Sequence, residues 1–304
     1  MTEPVLGAYM DEELSSQPQV WAQAQAQSRE EGLLPAKGQK IAVIGCGTSW
    51  FMAQSYATAR EAAGHGVTDA FAASEAFLNS NSPERGYDAV VAITRSGTTT
   101  EVLEVLAQLK GTVKTIALIG DINSPIVDLA DVIIGLPYAD EQSVVQTRFA
   151  TTALVYLLAS LGESLDVAIE QAKAAVSDPV DQELLDAEQF TFLGRGWTVG
   201  LAHEAGLKMR EAVQGWTESY PAMEYRHGPI SIAAPNRVTW LFGEEPEGLA
   251  ADVAKTGARY ISSGLHPLAD LARVHRVTLE RARVRGLNPD LPRNLTRSVI
   301  LDEA

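Results

Sequence analysis

Glu204, Lys208 and Glu211 stand four and then three residues apart in AHEAGLKMREAV, so a helix carries all three on one face. Two carboxylates around an ammonium can serve as a general base whose ionisation the neighbouring charge tunes. On an outward face the same line would be a solvated stripe of weak ion pairs. The neighbourhood favours chemistry: FLGRG at Phe192–Gly196 precedes the segment, and Glu224-Tyr225-Arg226-His227-Gly228-Pro229 follows it closely. A solitary histidine is more often structural than catalytic. His227, however, sits in a loop punctuated by Gly and Pro with an arginine beside it, and imidazole is the side chain suited to exchanging protons at neutral pH.

Two further segments are built for an anion. In Gly45-Cys46-Gly47-Thr48-Ser49 the glycines allow a tight strand-to-helix turn, and Thr48, Ser49 and free backbone N–H groups face whatever sits at the helix start. In Thr94-Arg95-Ser96-Gly97-Thr98-Thr99, hydroxyls and a guanidinium gather at the next strand end. Capping of helices is the commonest work of Ser and Thr. Two such loops side by side nevertheless suit a phosphate, because open α/β sheets bind ligands at strand C-termini. Neither segment is a full G-x-G-x-x-G, which argues against a dinucleotide.

These loops need a frame, and the chain supplies one. From Lys40 it reads strand, glycine turn, helix: IAVIGCGTS leads into WFMAQSYATAREAAG, and DAVVAITRSG into TTTEVLEVLAQLKG. VKTIALIG and ADVIIGLPYA are further short apolar strands. Continuous Val/Ile runs separated by helices predict parallel sheets flanked by helices in an α/β, flavodoxin-like three-layer arrangement. VIGCGTSWFMAQSYATAREA and FLGRGWTVGLAHEAGLKMREA share an apolar pair, Gly-x-Gly and a helix, which marks two related halves. The second half reads as shorter: after VTWLFG and ARYISSG no clear strand precedes LADLARVHRVTLERARVRG, so its sheet is expected to be small or borrowed. A polar stretch from Ser177 to Ala187 marks the boundary. The expected organisation is a helical docking arm over 1–28, a first domain over 29–180, and a second domain with a C-terminal tail over 181–304.

Composition narrows the function. The 304 residues are 46% hydrophobic and 21% charged, the profile of a globular chain with a sizeable core. Acids outnumber bases 39 to 24, for a formal charge of -15, which argues against a nucleic-acid partner. There is one cysteine, Cys46, so no internal disulfide forms. The start shows no basic stretch followed by an apolar run, and no apolar run long enough to span a membrane occurs, so a reducing cytoplasm is the expected location. The five histidines are scattered without ligand spacing, so neither metal nor other cofactor is expected.

Taken together, the chain resembles the sugar-isomerase (SIS) domain family, in particular the isomerase half of glucosamine-6-phosphate synthase. The likeness runs from about Gly7 to Leu301. It is carried in order by CGTS at Cys46–Ser49, the loop Thr94–Thr99, FLGRG, E-x-x-x-K-x-x-E at Glu204–Glu211, E-x-R-HGP at Glu224–Pro229, and PRNLTRSV at Pro292–Val299. The resemblance implies two tandem SIS domains. It puts Gly47, Thr48, Ser49, Thr94, Arg95, Ser96, Thr99, Val144, Gln146 and Arg297 at a sugar phosphate. It makes Glu211 the base that moves a proton between C1 and C2, with Lys208 assisting, Glu204 in the catalytic set, and His227 opening the sugar ring. It also implies a homodimer in which the histidine is donated across subunits.

The departures carry information of their own. No cysteine-nucleophile domain precedes the SIS segments, so the chain is not expected to hydrolyse glutamine by itself. Arg297 stands where the synthase carries a Schiff-base lysine, and a guanidinium stays protonated and forms no productive imine. Arg95 replaces an uncharged amide, and Gln146 a small hydroxyl residue, which points to an altered substrate. Three readings stay open: a phosphosugar isomerase, deaminating or not; a non-catalytic phosphosugar-binding module; and an aminotransferase fed with ammonia by another subunit.

Overall fold

The computed structural model describes residues 5–76 and 86–301. Among them the strands form two parallel sheets flanked by helices. By packing, the chain divides into two compact units. One holds Gln19–Glu141, Arg148–Leu165 and the tail from Thr296; the other holds the chain up to Pro18, Gln142–Thr147 and Asp166–Leu295. The leading helix α1, Ala8–Glu31, therefore contributes residues to both.

In the first unit the strand order is β2-β1-β3-β4-β5, with β1 at Ile41–Gly45, β2 at Thr68–Ala72, β3 at Ala89–Thr94, β4 at Lys114–Ile119 and β5 at Val132–Gly135. Residues of β1 and β3 are buried throughout, as expected of strands covered on both faces. Ala42, Ile44, Val90, Ala92, Ala117 and Ile119 pack with Val102, Val105, Leu106 and Leu109 of α3, Thr100–Leu109. The alternate residues point to the opposite face. Helix α2, Thr48–Ala62, lies on β1 and packs against α4, Arg148–Ala159.

The second unit repeats the plan. Helices α5, Asp166–Ala175, and α6, Gln182–Asp186, lead into β6, Gln189–Gly194. Helix α7, Thr198–Val213, then β7, Trp216–Pro221, β8, Arg237–Phe242, α8, Leu249–Ala254, β9, Arg259–Ser262, and α9, Pro267–Val284, complete it. Its sheet order is β7-β6-β8-β9, the same sequence of crossovers as β2-β1-β3-β4. The second sheet thus has four strands of its own and is not borrowed; the strand that sequence reading passes over is the polar edge strand β7.

Both units turn from first strand to helix in the same way, and the glycines explain it. A Cβ on Gly45 would lie 2.7 Å from the backbone carbon of Ser49, and one on Gly194 would lie 2.2 Å from the carbonyl oxygen of Thr198. Only glycine lets the helix start so close to the strand it follows.

Candidate functional site

In the first unit the chain reverses its crossover direction between β1 and β3, which are neighbours in register with Ile44 opposite Ala92. The turns after these strands are therefore side by side at the place where open α/β sheets take ligands. Gly47, at φ 53°, occupies the position before α2 and has no side chain to cap it; Thr48 and Ser49 are buried in the first turn. Thr99 precedes α3, and its hydroxyl makes no capping bond either. The hydroxyls of Thr48, Ser49 and Thr99 are thus not spent on side-chain capping of these helix starts.

Thr94 Oγ1 accepts from the Gly97 N–H at 3.3 Å, and Ser96 Oγ from the Thr98 N–H at 3.3 Å, which folds the loop into a cradle. The C-terminal tail lies in it. Ser298 Oγ accepts from Ser96 Oγ at 3.2 Å and Thr98 Oγ1 at 3.0 Å, and is 3.3 Å from Thr99 Oγ1. Thr100 N–H donates to the Val299 carbonyl at 3.2 Å, and Leu301 N–H to Thr100 Oγ1 at 2.9 Å.

The Arg95 guanidinium is buried. It donates to the Arg297 carbonyl at 2.9 Å and lies 3.9 Å from Glu141, which also accepts from the first N–H groups of α4, at Arg148 and Phe149. Arg297 grips Asp140 through both carboxylate oxygens, at 2.5 and 2.8 Å, and donates to the Glu141 carbonyl. Two adjacent acids therefore counter both arginines of this loop system. Cys46, in the neighbouring turn, has its thiol pushed up to about 11 by burial and then by Glu101, so it is protonated and a poor nucleophile at neutral pH.

In the second unit α7 carries Glu204, Lys208 and Glu211, but they do not act as one line. Lys208, buried, ion-pairs with Glu211, whose side chain is 20% exposed. Glu204 is fully buried, and its two oxygens lie 3.1 and 3.0 Å from Nε2 of His275 on α9. Burial followed by the Arg210 charge lowers the pKa of His203 on the same helix, where it bonds Ser219 at 2.9 Å. His227 is exposed at the end of the short 3₁₀ turn Ala222–Arg226, its N–H donating to the Glu224 carbonyl at 2.9 Å. Val144 and Gln146 are half-buried in the segment Gln142–Thr147, where the Val144 N–H donates to the Asp290 carbonyl at 3.2 Å.

Within the first unit, then, the predicted Thr94, Arg95, Ser96, Thr99 and Arg297 are brought together, with Thr48 and Ser49 in the adjacent turn. Within the second, Lys208 meets Glu211 and not Glu204. Sequence reading includes Thr98 in the hydroxyl loop without assigning it to the phosphate, and passes over Ser298, Asp140, Glu141 and His275. Ser298 lies inside the PRNLTRSV segment that carries the resemblance; the two acids and His275 have no local signal. Among the described residues no group of three or more His, Cys, Asp or Glu could hold a metal ion, and no helix is long and apolar enough to cross a membrane.

Residues 33–161 match the SIS domain family. The isomerizing glutamine–fructose-6-phosphate aminotransferase of Sulfurisphaera tokodaii is 28% identical over 300 residues, 87% of this chain and 50% of that protein. Its counterpart from a Nostoc species is 26% identical over 87% of this chain and 52% of that protein. The chain spans about half the length of the curated relatives it matches. Among solved structures, glucosamine-6-phosphate deaminase from Thermotoga maritima superposes with a TM-score of 0.77 at 22% identity, over 97% of this chain and 100% of that one. Tagatose-6-phosphate ketose/aldose isomerase from Escherichia coli gives 0.77 at 16%, over 98% and 97%. At these identities the superpositions speak for the fold.

Proposed function

We propose, from the premise that residues 33–161 are a SIS domain, that this chain is a phosphosugar isomerase acting on a ketose or amino-sugar phosphate by proton transfer between C1 and C2. The observation that carries the reading is the pair of helix starts without side-chain caps at the β1/β3 crossover, lined with Ser and Thr hydroxyls. Phosphate oxygens accept from hydroxyls and helix N-termini, and the arrangement supplies both. We take the second half, with its matching strand order and glycine turn, to be a second, diverged SIS domain.

In this reading Thr48, Ser49, Thr94, Ser96 and Thr99 bind the phosphate, with Gly47 admitting it close to the backbone. Glu211 removes the proton alpha to the carbonyl and returns it next door, and Lys208, its ion-pair partner, assists. His227 donates and accepts the proton of ring opening. Its exposure fits a side chain offered to a neighbouring copy, so the working form is a homodimer. Val144 and Gln146 would contact the sugar. The Asp140-bound guanidinium of Arg297 favours isomerisation over imine-forming amino transfer.

The test is exchange of the substrate's C1 or C2 hydrogen with solvent deuterium, followed by NMR over a panel of hexose and hexosamine phosphates. Glu211→Gln keeps the shape and removes the base, so kcat should fall about 10²–10⁴-fold with little change in substrate affinity. Exchange that survives the substitution excludes Glu211. No exchange by the native chain over the whole panel favours a binding module.

A further inference from the structure

The charges on α7 are not paired as helix geometry alone would pair them. A Glu four residues before a Lys is the better-oriented of the helical ion pairs, which makes Glu204 the natural partner of Lys208. Lys208 pairs instead with Glu211, three residues on. The difference is made by α9. His275 places Nε2 within 3.1 Å of both Glu204 oxygens, and both side chains are wholly buried. His275 Nδ1 is buried with no hydrogen-bond partner. A neutral ring must therefore carry its proton on Nε2, aimed at the carboxylate, since a proton on Nδ1 would be an unpaired buried donor.

We infer that His275 is a positioning residue: its Nε2–H holds Glu204 away from Lys208 and thereby leaves the ammonium to Glu211. The functional part of this rests on Glu211 being the base, as proposed above. The logic follows from burial. Without the His275 donor, Glu204 is a fully buried carboxylate whose cation within helical reach is Lys208, one turn on. Glu211 is partly exposed and can be satisfied by water. An unpaired charge costs far more in the interior than at the surface, so the single ammonium goes to the deeper carboxylate. The base is then left without its cation, even though no residue that touches substrate has changed.

The experiment compares His275→Leu, His275→Asn and His275→Gln by crystallography and steady-state kinetics. Glutamine puts an amide N–H close to the place of Nε2; asparagine keeps an amide but falls short of Glu204; leucine has no donor. In the glutamine variant Lys208 should stay on Glu211 and kcat remain within about threefold of wild type. In the leucine and asparagine variants Lys208 should turn to Glu204, and kcat should fall at least about tenfold with KM changed less than about threefold. The asparagine variant decides the matter should the leucine variant fail to fold. Lys208 remaining on Glu211 in the variants without a reaching donor overturns the inference, as does equal kcat in all three. Absence of turnover in wild type would instead defeat the isomerase reading, and the partner of Lys208 in the crystal structures would still decide the role of His275.

Discussion

Replacing Ser298 by alanine tests whether the tail and a phosphate compete for the same hydroxyls. Ser298 Oγ lies 3.2 Å from Ser96 Oγ, 3.0 Å from Thr98 Oγ1 and 3.3 Å from Thr99 Oγ1. These are at the long end for O–H···O contacts, so the set stabilises the seated tail by about 1–2 kcal/mol net, less than three ideal bonds would. A phosphate using those hydroxyls must first release Ser298. Alanine removes that cost and keeps the backbone contacts of the tail, from Thr100 N–H to the Val299 carbonyl and from Arg95 to the Arg297 carbonyl. The dissociation constant for inorganic phosphate should therefore fall about 5- to 30-fold, measured by calorimetry at fixed ionic strength. Thr99→Val, which deletes a hydroxyl of the cradle and not of the tail, should weaken the same binding. Unchanged or weaker binding by Ser298→Ala would refute the competition and make the Ser298 hydroxyl a neutral neighbour or a ligand of the phosphate.

Two further outcomes concern the frame. Burial pushes the Asp270 carboxyl from 3.8 up to about 6, while its Oδ2 accepts from Trp240 Nε1 at 2.9 Å. A carboxyl with a raised folded-state pKa binds more protons folded than unfolded. Its contribution is thus lost as pH rises from about 4 to about 6, and stays lost above. Asp270→Asn keeps the acceptor without the charge and should be about 2–3 kcal/mol more stable than wild type at pH 7.5 but nearly equal at pH 4, by urea unfolding; the same difference at both pH values would contradict this. Gly194→Ala brings a Cβ to 2.2 Å from the Thr198 carbonyl oxygen and should cost about 3 kcal/mol or more. Gly196→Ala, with φ 54° and open space, should cost only about 1 kcal/mol in the same melts.

How far a strand can be read from sequence depends on where it sits. Strands β1, β3 and β4 are interior, with neighbours on both sides, and their side chains must be apolar whichever face they point to. They read as IAVIG, AVVAIT and KTIALI. Among the described residues, strands β2 and β7 are edges, bonded on one side only. Thr-Asp-Ala-Phe-Ala and Trp-Thr-Glu-Ser-Tyr-Pro can keep polar groups because part of each edge meets solvent. That is why the second sheet looks shorter in sequence than it is. The repeat of glycine turns was the more dependable sign of the second sheet, because it reflects a backbone clash that no side chain can avoid.

The site divides along the same line between what is local and what is brought from afar. Helical spacing places Glu204, Lys208 and Glu211 on one face, and it does so correctly. It cannot say which carboxylate takes the ammonium, because that is settled by a histidine 71 residues away from Glu204. Likewise the Thr94–Thr99 hydroxyls are visible as a cluster, but Ser298, 200 residues from Thr98, is not visible as their partner. In both places the predicted residues are donors or acceptors with more than one available mate, and tertiary packing chooses among them. Sequence spacing therefore identifies the chemical groups of a site better than their pairing. Pairing is what sets the two similar glutamates of α7 apart: Lys208 takes Glu211, and His275 takes Glu204.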